Sequence, residues 1–148
     1  MSLHRRDVLS LLPAAVAASA VAANAAAPDA EVLPSATFTF ESLPMHMLNG
    51  AQIRPVMKGK LASGESIETH ETTLPPGGAP HAAHHHVHSE MWLVREGTVE
   101  LTINGTSHIL GPGSVGFVRS GEEHGIRNPG SSPATYFVVA VGPGAGGG

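Results

Sequence analysis

The chain has 148 residues, no cysteine and a formal charge of −4. That suits one domain and excludes a disulfide scaffold, a thiolate metal site, a cysteine nucleophile and a lipid-anchored lipoprotein N-terminus. It also lacks the basic excess of a nucleic-acid binder. Charged residues make up only 14% against 18 glycines and 12 prolines, a turn-rich balance that favours an all-β fold over a helical bundle.

In chain order, the first segment has the pattern of an export signal. Arg5-Arg6 precedes an Ala/Val/Leu stretch from Val8 to Ala27, with small residues at Ala23-Asn24-Ala25. Arg5-Arg6-Asp7-Val8-Leu9 resembles a twin-arginine signal, so residues 1–25 are expected to be removed and the mature chain to be periplasmic or secreted, with no membrane segment. Residues 26–35, rich in Pro and Ala, read as a mobile arm. The domain proper is expected over 36–141. Its strands are predicted at Thr37–Phe40, Ile53–Leu61, Ser66–Leu74, Glu90–Arg95, Val99–Ile103, Thr106–Leu110, Ser114–Val118, Glu123–Arg127 and Ala134–Val141. Asn104-Gly105 marks a two-residue hairpin. Residues 142–148, nearly all glycine, are expected to be disordered. Short strands with frequent turns suggest a sandwich or a closed barrel. Trp92, Val94, Phe117, Val118, Ile126 and Phe137 are its main core candidates.

Ten histidines are present, five of them between His81 and His88. Gly78, His84, His86, Glu90 and Gly97 fall in one segment, and Gly113, Gly121, His124 and Asn128 in another. These spacings resemble the two motifs of the cupin superfamily over Glu68 to Val141, with Arg119 standing where the family usually has proline. The resemblance implies a cupin-type double-stranded β-helix, or jelly-roll barrel. It also implies pairing of two chains through their sheets, with Thr37 to Phe40 able to swap or pair there.

Residue chemistry leads to the same site. On an extended strand His84 and His86 project to one face, about 6.6 Å apart. Glu90 begins the next strand, and His124 arrives from a distant one. Three imidazoles and a carboxylate suit one divalent transition metal among Mn, Fe, Ni, Zn and Cu. His85 should point away from it, and His81 and His88 have no shared focus with the ligands. His70 and His108 read as surface or wall residues, and Glu122 and Glu123 as a solvated face. Asn128 reads as a structural tie. No acid/base partner is placed, because His70, Glu71 and His81 depend on strand parity. Two functions follow: a metal-dependent enzyme of oxygenase, isomerase or lyase type on a small molecule, or a non-catalytic module holding a small ligand or the metal.

Overall fold

The computed structural model describes residues 32–146. The segment read as an export signal lies outside them, as do residues 26–31 of the arm. Among the described residues nine strands form: β1 (His46–Leu48), β2 (Ala51–Lys60), β3 (Ser66–Leu74), β4 (Ser89–Glu96), β5 (Val99–Ile103), β6 (Thr106–Leu110), β7 (Val115–Val118), β8 (His124–Arg127) and β9 (Ala134–Val141). A six-stranded antiparallel sheet, in the order β1-β2-β3-β9-β4-β7, faces a three-stranded one in the order β6-β5-β8. This is the jelly-roll architecture expected.

Alternation builds the core. In β9, Ala134, Tyr136, Val138 and Ala140 point inward, and in β5 Val99 and Leu101 do so from the opposite sheet. Trp92, Val94, Val118 and Ile126 complete it. Phe117 does not join them. It is 58% exposed, because β7 turns Gly116 and Val118 inward and so sets Val115 and Phe117 on the outer face. Phe137 is only half-buried, for the same reason of parity.

Three further expectations change. Thr37–Phe40 forms no strand; a short 3-10 turn at Phe40–Ser42 follows instead. The free edge of β2 is already taken by β1 through a hairpin at Asn49-Gly50, both with positive φ. Phe40 lies under the Arg54 guanidinium at 4.4 Å, and Arg95 reaches past the same ring to donate to buried Glu71 at 2.7 Å. The described end of the arm is tied down: Leu33 N–H donates to Lys60 O at 2.8 Å, and its side chain fills the space over Gly59. At the other end, residues 142–146 form a turn anchored by Gly142 N–H to Ser66 O, with Ala145 buried.

Asn128 is fully buried and acts as the structural tie. Its Nδ2 donates toward the carbonyls of Leu74, Pro75 and Ser132 at 3.2, 3.1 and 2.8 Å, while its Oδ1 accepts from Gly130 N–H. Two turns depend on glycine to different degrees. Gly97 has φ +72, and a Cβ there would fall 2.5 Å from Pro133 O and 2.7 Å from Ala134 Cα. Gly105 has φ +80 but nothing within 4 Å. Gly97→Ala is therefore expected to cost about 3 kcal/mol or more, adding overpacking to backbone strain, whereas Gly105→Ala costs about 1 kcal/mol from strain alone. Urea unfolding of both variants checks the order; equal losses would contradict it.

Candidate metal centre

The four expected ligands come from three places. Glu90 opens β4 in the large sheet, and His124 opens β8 in the small one. His84 and His86 lie in the segment crossing between them. They are not in a strand, as the i, i+2 argument had assumed. A single isolated bridge holds the segment: His84 N–H donates to His124 O at 2.9 Å, and His124 N–H returns to His84 O at 2.8 Å. Gly121 N–H adds a bond to His86 O. The close approach needs Gly125, whose Cβ would meet Ala83 at 3.2 Å.

The rings converge. Centroids of His84, His86 and His124 lie 5.2, 4.8 and 4.7 Å apart, and one nitrogen from each falls within 4.8 Å of the others. His86 Nδ1 donates to His88 O at 3.0 Å, and His124 Nδ1 donates to Glu122 O at 2.9 Å. A carbonyl only accepts, so in each neutral ring the proton is on Nδ1 and the lone pair is on Nε2. Both Nε2 atoms are buried without a hydrogen bond, as is His84 Nδ1. Glu90 sits among them, with Oε1 3.2 Å from His86 Nε2 and Oε2 3.4 Å from His124 Nε2. Ligand atoms about 2.1 Å from one ion lie roughly 3.0–3.4 Å apart. These residues can hold a divalent ion: the Nε2 lone pairs of His86 and His124 are bare, their tautomers are set by outer carbonyls, and the Glu90 oxygens stand at about ligand spacing from both.

Electrostatics support the same reading. Burial alone would raise the Glu90 pKa, but the facing His124 and His86 imidazoles outweigh it and hold the carboxyl down to about 2. Burial lowers His84, and its histidine neighbours lower it further, favouring the neutral ligand form. His124 goes the other way: burial opposes its charge, but Glu90 and the Glu122 carbonyl more than compensate and raise it.

The remaining histidines divide clearly. His85 is exposed, as its parity required. His88 is drawn into the cluster against expectation, stacked on His86 at 3.5 Å with Nε2 3.4 Å from Glu90 Oε1. The alternation that pairs positions 84 and 86 includes 88 as well, and that was the overlooked clue. His81 packs edge-on to His84 at 4.3 Å. The parity question at β3 is also resolved. His70 lines the cavity, while Glu71 faces outward to Arg95. That cavity measures 190 Å³ and is walled by Glu90, His124, His70, His81, Thr72 and Tyr136, together with Leu48, Ile53, Trp92, Ile126 and Val138. Burial pushes the Tyr136 phenol up; a hydrogen bond with Thr72 opposes the shift and the Glu90 charge adds to it, so the hydroxyl stays protonated.

Comparison with known proteins gives a consistent result. Residues 70–140 match the cupin domain family model. The mannose-1-phosphate guanylyltransferase of Klebsiella pneumoniae is 34% identical over 70 residues, 47% of this chain and 15% of that enzyme. The ManC enzyme of Salmonella typhimurium is 31% identical over 98 residues, 66% of this chain and 20% of its own. The chain thus spans a fifth or less of the length of these relatives. Among solved structures, an RmlC-like cupin from Shewanella frigidimarina superposes with a TM-score of 0.61 at 20% identity, covering 73% of this chain and 92% of that one. KdgF from Halomonas sp. gives 0.62 at 16%, covering 72% and 94%. A predicted oxalate decarboxylase from Thermotoga maritima gives 0.58 at 20%, covering 72% and 99%. These likenesses establish the cupin fold.

His124, the ligand whose pKa is raised, sets a pH dependence. His124 is raised in the metal-free fold, so an incoming ion must displace its proton at a pH where a free histidine would already be bare. Apparent zinc affinity should therefore fall about tenfold for each unit of pH below the His124 midpoint, for one displaced proton. Glu90, depressed to about 2, does not compete until the pH falls below the ordinary carboxylate range of 4.5. Zinc titrations between pH 5 and 8 check this; an affinity flat across that window would contradict it.

Proposed function

From a chain that carries a cupin domain with a convergent His/Glu group, we infer an exported metal-dependent enzyme acting on a small molecule. The ligands are His84, His86, Glu90 and His124. The reading rests chiefly on one observation: bare Nε2 atoms of His86 and His124, with Glu90 between them, in a group whose cavity also contains non-ligand ionisable side chains. A divalent ion bound there supplies a Lewis acid.

The protein's own groups define the rest. Small-molecule pockets commonly measure about 300–1,000 Å³; at 190 Å³ this one takes a smaller occupant. No Lys or Arg is among its lining residues. A phosphate would find no Lys or Arg side chain there and would have to bind the ion itself. Tyr136 keeps its proton and serves as a donor to a substrate oxygen. Trp92, Ile126 and Val138 exclude water around it. His81 and His88, packed beside the ligands, would also serve a non-catalytic metal-holding module, and the substrate screen below separates the two.

Metal content is the direct test. His124→Ala should fold and lose at least about tenfold in metal affinity, while His85→Ala stays loaded. Metal per chain after equal dialysis checks this, followed by a screen of small carbonyl and carboxylate compounds with the metal found. Full stoichiometry in His124→Ala would reject the site, and a fully loaded protein inert across the screen would favour the binding module. Export is tested separately: Arg5→Lys with Arg6→Lys should leave the precursor in the cytoplasm, and normal export of that variant would remove the twin-arginine reading. A second copy of the chain is the partner proposed for the outer face of β4 and β7, where Met91, Leu93, Val115 and Phe117 are exposed side by side.

A further inference from the structure

β3 carries a histidine–carboxylate contact that the ligand group does not use. His70 Nδ1 lies 2.9 Å from Glu68 Oε1 and 3.2 Å from its Oε2. An ionised carboxylate only accepts, so Nδ1 carries the proton and Nε2 keeps its lone pair in the neutral ring. The two residues stand at i and i+2 on one strand and share its inner face. Yet they line different spaces. His70 is in the wall of the 190 Å³ cavity with Glu90, His124 and Tyr136. Glu68 lines a separate groove of 760 Å³ together with Phe38, Lys58 and His88. The pair therefore spans the partition between the metal cavity and the surface groove.

The other polar groups of the cavity are less suited to accept a proton. Tyr136 and Thr72 are donors to each other or to an occupant. His81 is exposed at the mouth, with Nδ1 turned to the Ala82 carbonyl. His70 alone among the lining residues outside the ligand group has a carboxylate behind it.

Resting on the reading of this cavity as a substrate site, we propose that Glu68 and His70 are its proton-transfer pair, and that the substrate is a small carbonyl compound with an acidic neighbouring C–H bond. In the step, that C–H bond breaks and its proton bonds to His70 Nε2. The electron pair left on carbon delocalises onto the carbonyl oxygen. The Nδ1 proton shifts to Glu68, from which it leaves to solvent in the groove. Reprotonation at carbon reverses the path, and no oxidant or reductant is required. Glu68 holds the ring in the orientation and tautomer the step needs, and general-base help of this kind is commonly worth about 10²–10⁴-fold in rate.

Two measurements test this. First, ¹⁵N imidazole spectra of the metal-free protein should show His70 as the Nδ1–H tautomer, and Glu68→Ala should remove that preference. Second, zinc-loaded protein in D₂O should exchange the methyl protons of pyruvate for deuterium faster than buffer with equal zinc. His70→Asn and Glu68→Ala should each slow that exchange at least tenfold at unchanged zinc content. An Nε2–H tautomer in the wild type overturns the pair. So does wild-type exchange no faster than buffer, or exchange unaffected by both substitutions. Loss of the metal site shows separately, as zinc missing from the wild type, and the tautomer still decides the pair in that event. If His70→Asn fails to fold, Glu68→Ala and the wild-type tautomer carry the decision.

Discussion

His84 and His124 exchange both of their backbone hydrogen bonds, at 2.9 and 2.8 Å, and the rest of the site depends on that exchange. The segment from Pro80 to His88 belongs to no named strand. Without the bridge it would be an unpaired, histidine-rich crossing, with backbone polar groups committed to water. With it, the segment is locked beside β8, the small sheet gains a partner strand one residue long, and two ligands face each other at fixed separation. Gly125 allows the approach by leaving room for Ala83, so a residue with no side chain determines how close the imidazoles stand.

The bridge also sets an electrostatic problem. It places several imidazoles and one carboxylate in a region largely closed to water, where unpaired charge is costly. Glu90 is the only anion within the group, and three histidine nitrogens lie within 3.4 Å of its oxygens. His84 and His124 shift in opposite directions: burial, and then the neighbouring histidines, favour the neutral His84 ring, while Glu90 outweighs burial at His124 and favours its cation. A divalent ion held by His84, His86, Glu90 and His124 would replace this compromise with a cation shared by their lone pairs. Metal binding and folding are then coupled through the same atoms.

Much of this was legible in the sequence, and the failures are instructive. Alternation located β3, β5 and β9 to the residue, and the Asn104-Gly105 turn located β6, which is exposed along most of its length. Asn104-Gly105 was recognised as a hairpin, while the same dipeptide at Asn49-Gly50 was passed over, and with it β1. Thr37–Phe40 alternates like a strand but pairs with none, since β1 already occupies the edge of β2. Parity was applied to His84 and His86 and then withheld from His88, although the same rule covers it. The His84–His124 bridge itself has no local signature, since it depends on a contact between segments far apart in the chain. Phe117 and Val118 cannot both face the core, and the strand turns Gly116 and Val118 inward. In each case the spacing was better evidence than the residue type.

The partition at β3 follows from that same rule. A strand inside a sheet alternates between two environments, yet Glu68 and His70, on one face, reach two cavities. The difference arises along the strand rather than across it. Opposite His70, β2 contributes Pro55; past the register shift between Pro55 and Met57, Lys58 stands opposite Glu68. Proline cannot donate to the ladder, and the irregularity accommodates it. Pro55 and Lys58 both border the surface groove with Glu68, while His70 lines the metal cavity. The His70–Glu68 contact joins the metal cavity to the surface groove. Proton traffic between a water-excluding cavity and solvent requires a contact of this kind, and here the strand's own two-residue repeat supplies it.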